Sequence, residues 1–218
     1  MSTPAIETDD IWAVLPAKSF TRGKSRLRDA LDDHARALLA QAMFTHVLGV
    51  TQACARLAGT LVITDGDDVA EVASRAGALV MRDPTTKLSL AGVIDTALTH
   101  LQRRGARAAL VLMTDLPEAT SADIDAILAA LADAELVLAA DSSGHHTNAL
   151  ALRLGHGYTT CFGAAHSLAD HTQRAHQLGL RVLRIKSAGL AFDVDTPSDL
   201  ARSATGQQLS AVPEPRNA

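Results

Sequence analysis

Three aspartates in this sequence have the type and spacing of ligands for a hard metal ion. Asp115 follows the apolar run AALVLMT, and Asp193 and Asp195 alternate in the stretch FDVD. Side chains alternate along an extended strand, so we expect Asp193 and Asp195 to point to one face of a strand end. Mg²⁺ prefers oxygen ligands and takes one or two carboxylates plus substrate phosphates. We therefore predict a Mg²⁺ site here; helix capping would explain Asp115 and Asp195, but not Asp193.

A basic segment precedes these aspartates in the chain. Residues 16–28 contain five basic side chains: Lys18, Arg22, Lys24, Arg26 and Arg28. The segment is not a Walker A loop, since Gly23 is its only glycine. It does combine mobile lysine charges with arginines that can fork onto phosphate oxygens. Binding of a polyphosphate and a solvated basic loop are both compatible with this pattern.

The nine histidines do not indicate a zinc site. His166, His171 and His176 are five residues apart, which places successive rings on different helix faces, unlike the i, i+4 pair of a helical zinc site. His145 and His146 are adjacent and point opposite ways in an extended loop. We expect His145, His146 and His171 to line a ligand pocket as polar groups.

The composition limits the class of protein. The chain has 218 residues, 47% hydrophobic and 3% aromatic, which suits one α/β domain with a core of small aliphatic side chains. A net charge of −4 argues against a general nucleic-acid binder. No apolar run approaches the roughly 20 residues of a membrane span, and the first residues lack the pattern of a signal peptide. Cys54 and Cys161 match no metal or redox spacing, so we expect a cytoplasmic protein.

Apolar runs alternate with helical patterns along the chain. Strands are predicted at residues 11–16, 60–65, 78–83, 108–117, 135–141, 147–154 and 181–187, followed by the extended FDVD. Helices are predicted from about residue 32 to 50 and over 90–103, 121–132, 166–179 and 198–202. This alternation predicts an α/β fold with a doubly wound, mostly parallel sheet over 11–202, with a ligand at the carboxyl ends of the strands. Residues 1–10 are predicted to be an extension, and 203–218 a disordered tail.

A set of ordered motifs resembles the phospholactate guanylyltransferase family. These motifs are K-x₅-K-S-R-L (18–27), T-D-L-P (114–117), T-N-A-L (147–150), F-G (162–163) with S-L-x-x-H (167–171), and F-D-V-D-T-P-S-D-L (192–200). The resemblance implies a single-domain nucleotidyltransferase variant of the doubly wound sheet, similar to molybdopterin nucleotidyltransferases. It also implies transfer of GMP from GTP to a phosphorylated three-carbon acid in the biosynthesis of coenzyme F-420. The partners would be GTP and that acid; a homodimer is left open.

The resemblance assigns a role to each matching residue. The metal ligands would be Asp115, Asp193 and Asp195. The triphosphate would be held by Lys18, Lys24 and Arg26, and Lys24, Arg26 and Asp115 would take part directly in catalysis. The acceptor acid would be bound by Thr147, Asn148, Gly163 and Ser167, together with His145, His146 and His171.

Three positions depart from the family pattern, all near the expected acceptor site. His146 replaces a usual Gly, Ser89 replaces a usual Asn, and one extra residue precedes Ser167, so that His166 is an alternative to Ser167. Because a site that hydrogen-bonds a hydroxyl discriminates against an analogue lacking it, these added polar groups favour 3-phosphoglycerate as acceptor. Phosphoenolpyruvate and 2-phospholactate remain alternatives. A molybdopterin or sugar-phosphate nucleotidyltransferase, or a non-catalytic binding protein, is also compatible with the motifs.

Overall fold

The computed structural model of the chain describes residues 10–83 and 88–203. Apart from Asp10 and Ser203, the predicted N-terminal extension and the predicted disordered tail lie outside the described residues. No helix in the described part of the chain has the length and apolar character needed to cross a membrane.

A single sheet of seven strands organises the molecule. Its strands are β1 (Ile11–Ala17), β2 (Gly59–Thr64), β3 (Leu79–Arg82), β4 (Ala108–Leu112), β5 (Leu136–Ala140), β6 (Thr147–Arg153) and β7 (Val182–Ile185). Their spatial order is β3-β2-β1-β4-β6-β5-β7. All neighbours pair in parallel except β6, which is antiparallel to both β4 and β5. The predicted mostly parallel α/β sheet is therefore confirmed.

Helices cover both faces of this sheet. They are α1 (Asp33–Ala53), α2 (Asp67–Arg75), α3 (Leu90–Arg103), α4 (Ser121–Ala130), α5 (Ser167–Gln177), α6 (Ala188–Ala191) and α7 (Pro197–Arg202). One core cluster joins the sheet to α1 and α4, and the other joins it to α3 and α5. Thr120 and Thr196 begin α4 and α7 with reciprocal capping boxes, in which each threonine bonds the backbone of an aspartate three residues later.

The FDVD stretch is not the strand that its alternating pattern predicted. Ser187 accepts a hydrogen bond from the Leu190 amide and starts the short helix α6, so the chain leaves the sheet after β7. Residues 192–195 then form an irregular link between α6 and α7. Val194 is fully buried, and its amide donates to the Asp115 carbonyl at 3.2 Å. The link is thereby held against the loop after β4, with Asp193 and Asp195 on either side of the buried valine.

The antiparallel strand β6 brings a second segment to the same edge of the sheet. Leu112 at the end of β4 is paired with Ala149, and the Met113 amide donates to the Asn148 carbonyl at 2.9 Å. The start of β6 therefore lies beside the end of β4. The basic loop after β1, the Asp115 loop after β4, and Thr147 and Asn148 consequently meet at one edge.

Candidate active site

The first turn of the basic loop is anchored to the turn between β2 and α2. The Ser19 amide donates to Asp65 Oδ1 at 3.1 Å, while the Ser19 hydroxyl and the Phe20 amide donate to Asp68 Oδ2 at 2.9 and 2.8 Å. Gly66 permits this approach, because an added Cβ would lie 2.6 Å from Ser19 Cα. The sequence did not predict this anchor, because acidic residues after a strand are equally typical of a turn and of a helix start.

Lys24 is the centre of the site. Its Nζ lies 2.7 Å from Asp115 Oδ2 and 2.9 Å from Asp195 Oδ1, and its side chain is only 9% exposed. Arg26 Nη1 contacts the other oxygen of Asp195 at 3.1 Å. Burial lowers the pKa of Lys24, but the charges of Asp115 and Asp195 outweigh burial and hold that pKa above its usual value. The ammonium is therefore a permanent positive charge between two carboxylates.

The Lys24 backbone adopts an uncommon conformation to reach this position. Its φ of 53° and ψ of 40° lie in the left-handed region, and within the described residues no other non-glycine residue has a positive φ. Such a conformation costs on the order of 1–2 kcal/mol for a residue with a Cβ. Strain of this kind persists where surrounding contacts fix it, and it is concentrated at functional sites.

Asp193 is the third carboxylate of the cluster. It is half-buried, and Asn148 Nδ2 donates to its Oδ1 at 3.4 Å and to the Leu190 carbonyl at 3.0 Å. Desolvation raises the pKa of Asp193, and the negative charges of Asp115 and Asp195 raise it further. The three predicted metal ligands are thus close enough to interact, and Asn148 holds Asp193 in place.

These side chains are chemically suited to a hard cation but do not form a preassembled site. Within residues 10–83 and 88–203, no three His, Cys, Asp or Glu side chains are grouped closely enough to hold a metal ion as they stand. Lys24 already occupies the space between Asp115 and Asp195, and no Lys or Arg in the same ranges pairs with Asp193. The all-oxygen donor set fits Mg²⁺. For the ion to bind, the Lys24 ammonium would have to move away from at least one of the two carboxylates.

One cavity opens beside this cluster, and a second adjoins the first through Lys18. The smaller, about 320 Å³, lies between the basic loop and α1 and is bordered by Lys24, Arg26, Asp115 and Asp195. The larger, about 830 Å³, lies between the start of α3 and the exposed face of α5. Lys18 lines both cavities, so they adjoin at the end of β1.

Thr147, Ser167 and His171 form a buried network instead of a pocket lining. Ser167 Oγ accepts from the Thr147 amide at 3.0 Å, and His171 Nε2 accepts from the Cys161 amide at 2.7 Å. With Nε2 as the acceptor, Nδ1 carries the proton and donates to Thr147 Oγ1 at 3.0 Å. Burial lowers the pKa of His171 to about 3, so the ring is neutral.

This arrangement corrects the role predicted for His171. The side chain is 0% exposed and both ring nitrogens are engaged within the protein, so it has no free group for a ligand. It instead ties the start of β6 to the loop before α5. Ser167, and not His166, makes the hydrogen bond to Thr147, while His166 is exposed and its ring lies edge-on to His145 at 5.6 Å.

His145 and His146 lie in an exposed turn beside the site. Both amides donate to Asp141 Oδ1, and His146 Nδ1 contacts Asp141 Oδ2 at 3.2 Å. Neither histidine lines the two cavities described above, which differs from the predicted pocket position. Ser89, the other polar departure, accepts from the Gly92 amide and caps α3 at the edge of the larger cavity.

Gly163, which the sequence predicted to bind the acceptor, lines the larger cavity. Its φ of +85° favours glycine, and an added Cβ would lie 3.4 Å from Leu90 Cβ. The glycine therefore allows the loop before α5 to pass close to the start of α3.

Known proteins resemble this chain in sequence and in fold. The chain is 37% identical over 190 residues to a phosphoenolpyruvate guanylyltransferase of Sphaerobacter thermophilus, covering 86% of this chain and 89% of that one. It is 33% identical over 208 residues to a 3-phospho-D-glycerate guanylyltransferase of Phenylobacterium zucineum, covering 92% and 94%. The fold is similar to 4-diphosphocytidyl-2C-methyl-D-erythritol synthase from Anaerococcus prevotii, with a TM-score of 0.60, 10% identity, and 93% and 97% coverage.

The family model described as "Guanylyl transferase CofC like" matches residues 11–204, which is nearly all of the ordered sheet and its helices. This match confirms the family resemblance carried by the sequence motifs. The chain belongs to the CofC-like guanylyl transferase family.

Proposed function

We propose that this protein transfers GMP from GTP to the phosphate of a phosphorylated three-carbon acid, with release of pyrophosphate, in coenzyme F-420 biosynthesis. The observation that carries the proposal is the cluster of Lys24 with Asp115 and Asp195, which borders the smaller cavity. Relatives named as guanylyltransferases for phosphoenolpyruvate and 3-phospho-D-glycerate support this reaction.

The reaction needs charge neutralisation more than proton transfer. A phosphate oxygen of the acceptor attacks the α-phosphorus of GTP, and the bond from that phosphorus to the bridging oxygen breaks, so pyrophosphate leaves with the electron pair. The nucleophile is already anionic, and no general base is required. Positioning and electrostatic stabilisation therefore account for catalysis, as in phosphoryl transfer generally.

The basic loop supplies this stabilisation from the protein. Lys18 and Arg26 are exposed and line the smaller cavity. Lys24 lines the same cavity, and its ammonium is held by ion pairs with Asp115 and Asp195. We propose that Lys24 turns from the carboxylates toward the triphosphate when GTP binds. Mg²⁺, held by Asp115, Asp193 and Asp195, would supply further positive charge beside the phosphates.

We propose that the acceptor binds on the side of the cluster opposite the basic loop, near the start of β6 and the Gly163 loop. Phosphoenolpyruvate and 3-phosphoglycerate are the acids that the names of the relatives suggest. The preference for 3-phosphoglycerate stays a prediction, and its sequence argument is weaker because His145 and His146 do not line the two cavities. 2-Phospholactate is the third acid to be tested as an acceptor.

Pyrophosphate release from GTP tests the proposal directly. Purified protein with Mg²⁺ and GTP is mixed with phosphoenolpyruvate, 2-phospholactate or 3-phosphoglycerate, and the products are identified by mass. We expect release that depends on both GTP and one of these acids. Release only with a sugar phosphate or molybdopterin, or none with any acceptor, would contradict the proposed function.

A further inference from the structure

We propose that Arg36 is a positioning residue for the active site, and that it holds Lys24 in its left-handed backbone conformation. The consequence of that conformation for GTP rests on the proposed function. Arg36 lies near the start of α1 and is only 5% exposed. Its Nη1 donates to the Gly23 carbonyl at 3.3 Å, and its Nη2 pairs with the exposed carboxylate of Asp33.

The backbone angles of Lys24 are determined by the peptide groups on either side of it. Each peptide group is planar, so φ depends on the orientation of the preceding group and ψ on that of the following group. Arg36 holds the preceding group through the Gly23 carbonyl. The Leu27 amide holds the following group, since it donates to the Lys24 carbonyl at 3.0 Å. Together these two contacts maintain the φ of 53° and ψ of 40° at Lys24.

The two contacts differ in how they are supported. Leu27 is fully buried in an apolar cluster that includes Leu39 of α1 and Val194, so packing fixes the following peptide group. Gly23 has no side chain that could anchor the preceding group in the same way. The guanidinium of Arg36 provides this anchor from α1 by a hydrogen bond to the backbone.

A buried arginine is well suited to this role. A hydrogen bond from a charged donor is stronger than a neutral one, and it can offset the strain of a left-handed residue that carries a Cβ. The Arg36 Nε is buried without a hydrogen-bond partner among residues 10–83 and 88–203, so the two terminal nitrogens make the contacts. Removing them should release the Gly23 peptide group and let Lys24 relax, which would move its ammonium relative to Asp115 and Asp195.

Glycine and alanine variants at position 24 report the backbone conformation without any substrate. Lys24→Gly and Lys24→Ala lose the same ion pairs, but only alanine has to place a Cβ in the left-handed region. We expect the unfolding equilibrium constant of Lys24→Gly to be about threefold or more below that of Lys24→Ala. When Arg36→Met is added to both variants, this advantage of glycine should disappear. Urea unfolding of the four proteins measures the comparison.

Steady-state kinetics test the consequence for GTP. Arg36→Met should raise the KM for GTP by about tenfold or more, the scale of losing one hydrogen bond to a charged group. The KM for the acceptor acid should change much less. Adding Arg36→Met to Lys24→Ala should cause little further loss of GTP use, because the first residue acts through the second.

Arg153→Met is the matched control. Arg153 Nη2 donates to the Leu131 carbonyl at 2.6 Å, so this arginine also holds a backbone carbonyl. It is paired with Ala108 at the start of β4, which is the edge of the sheet opposite the active site. Arg153→Met should lower stability and leave both KM values unchanged.

An advantage of glycine at position 24 that persists without the guanidinium would overturn the role of Arg36. Additive losses of GTP use in Arg36→Met and Lys24→Ala would do the same. Arg36→Gln also ends at the position of Nε and serves for both measurements if Arg36→Met does not fold. Guanylyl transfer by wild type with a persistent glycine advantage would reject only the positioning role. Loss of that advantage without guanylyl transfer by wild type would reject only the proposed function.

Discussion

Lys24 combines three properties that are seldom found in one residue: a left-handed backbone, near-complete burial and two ion pairs. The strained backbone directs the ammonium back into the cluster, and the paired carboxylates offset the cost of burying it. The sequence predicted that Lys24, Asp115 and Asp195 belong to one site. It could not predict that they bind one another, because the ion pairs join positions 91 and 171 residues apart.

Asp195→Asn removes one of the two charges that hold Lys24 and one predicted metal ligand. We expect turnover to fall by at least about two orders of magnitude, the scale of losing a strong electrostatic term in the transition state. The fold should persist, since Asp195 is 38% exposed at the surface of the site. Steady-state pyrophosphate release with Mg²⁺ measures the effect.

Asp29→Asn is the matched control for this change. Asp29 is exposed just beyond the basic loop and makes no ion pair within residues 10–83 and 88–203. The activity of the Asp29→Asn variant should equal that of wild type. Near-normal turnover by Asp195→Asn under the same conditions would show that this carboxylate is not part of the catalytic site.

At the scale of the elements, two contacts between distant segments position the site. The turn after β2 holds the start of the basic loop through Asp68, and His171 on α5 holds the start of β6. The central strands were predictable, because β1, β2, β4 and β5 are mainly apolar runs of the right length. FDVD was not, because alternation over four residues is shared by strands and irregular links, and only the capping of α6 by Ser187 decides between them.

Gly66→Ala should displace the basic loop without unfolding the protein. The added Cβ would lie 2.6 Å from Ser19 Cα, so Ser19 and Phe20 must move away from Asp65 and Asp68. We expect the KM for GTP to rise by about tenfold or more, which corresponds to the loss of one hydrogen bond to a charged group. The KM for the acceptor acid should change much less.

Gly49→Ala is a matched glycine change in an exposed part of α1. An added Cβ meets nothing within 4 Å there, so this variant should keep wild-type kinetics and gain up to about 1 kcal/mol of stability from helix propensity. An equal loss of GTP and acceptor affinity in Gly66→Ala would contradict a role specific to the basic loop.

His171 should make stability depend on pH below neutrality. Its pKa is lowered by burial from 6.5 to about 3 in the folded state, so the unfolded chain binds the proton more readily. Stability is therefore full above about pH 6.5 and falls as the pH drops toward 3, by up to about 1.4 kcal/mol per pH unit. His171→Gln cannot titrate and should show a shallower decline between about pH 4 and 6.

Urea unfolding at several pH values measures this difference. Carboxylates contribute equally to wild type and variant, so the difference between the two curves isolates His171. His176→Gln, an exposed change on the same helix, should follow the wild-type curve. Parallel curves for wild type and His171→Gln would mean that the ring is not held neutral in the fold.

At the scale of the whole molecule, one edge of one sheet collects all the segments of the site. The loops after the parallel strands, the reversed strand β6 and the link after α6 bring together residues from positions 18 to 195. The alternation of apolar runs with helical patterns predicted the parallel sheet and the edge at which the site lies. The sequence did not predict which direction β6 takes or that two cavities divide the edge, since both depend on strand pairing and helix packing.

Ligand binding should stabilise the whole domain only when nucleotide and metal are both present. At a GTP concentration about 100-fold above Kd, binding adds about 2.7 kcal/mol, or roughly 5–10 °C in Tm for a domain of this size. Thermal unfolding with GTP and Mg²⁺, with GTP and a chelator, and with Mg²⁺ alone measures this. An equal rise in Tm with GTP and the chelator would argue against a metal-dependent nucleotide site.

The ion pairs of Lys24 also bear on how the protein behaves when metal is scarce. Many metal sites bring together carboxylates that repel one another until the ion arrives, and such domains fold poorly without it. Here a lysine of the same chain supplies the neutralising charge for Asp115 and Asp195. The newly made chain should therefore fold in a cell that lacks available metal, and it should remain folded but inactive. Under the proposed Mg²⁺-dependent reaction, adding the ion would then restore activity without new synthesis or refolding.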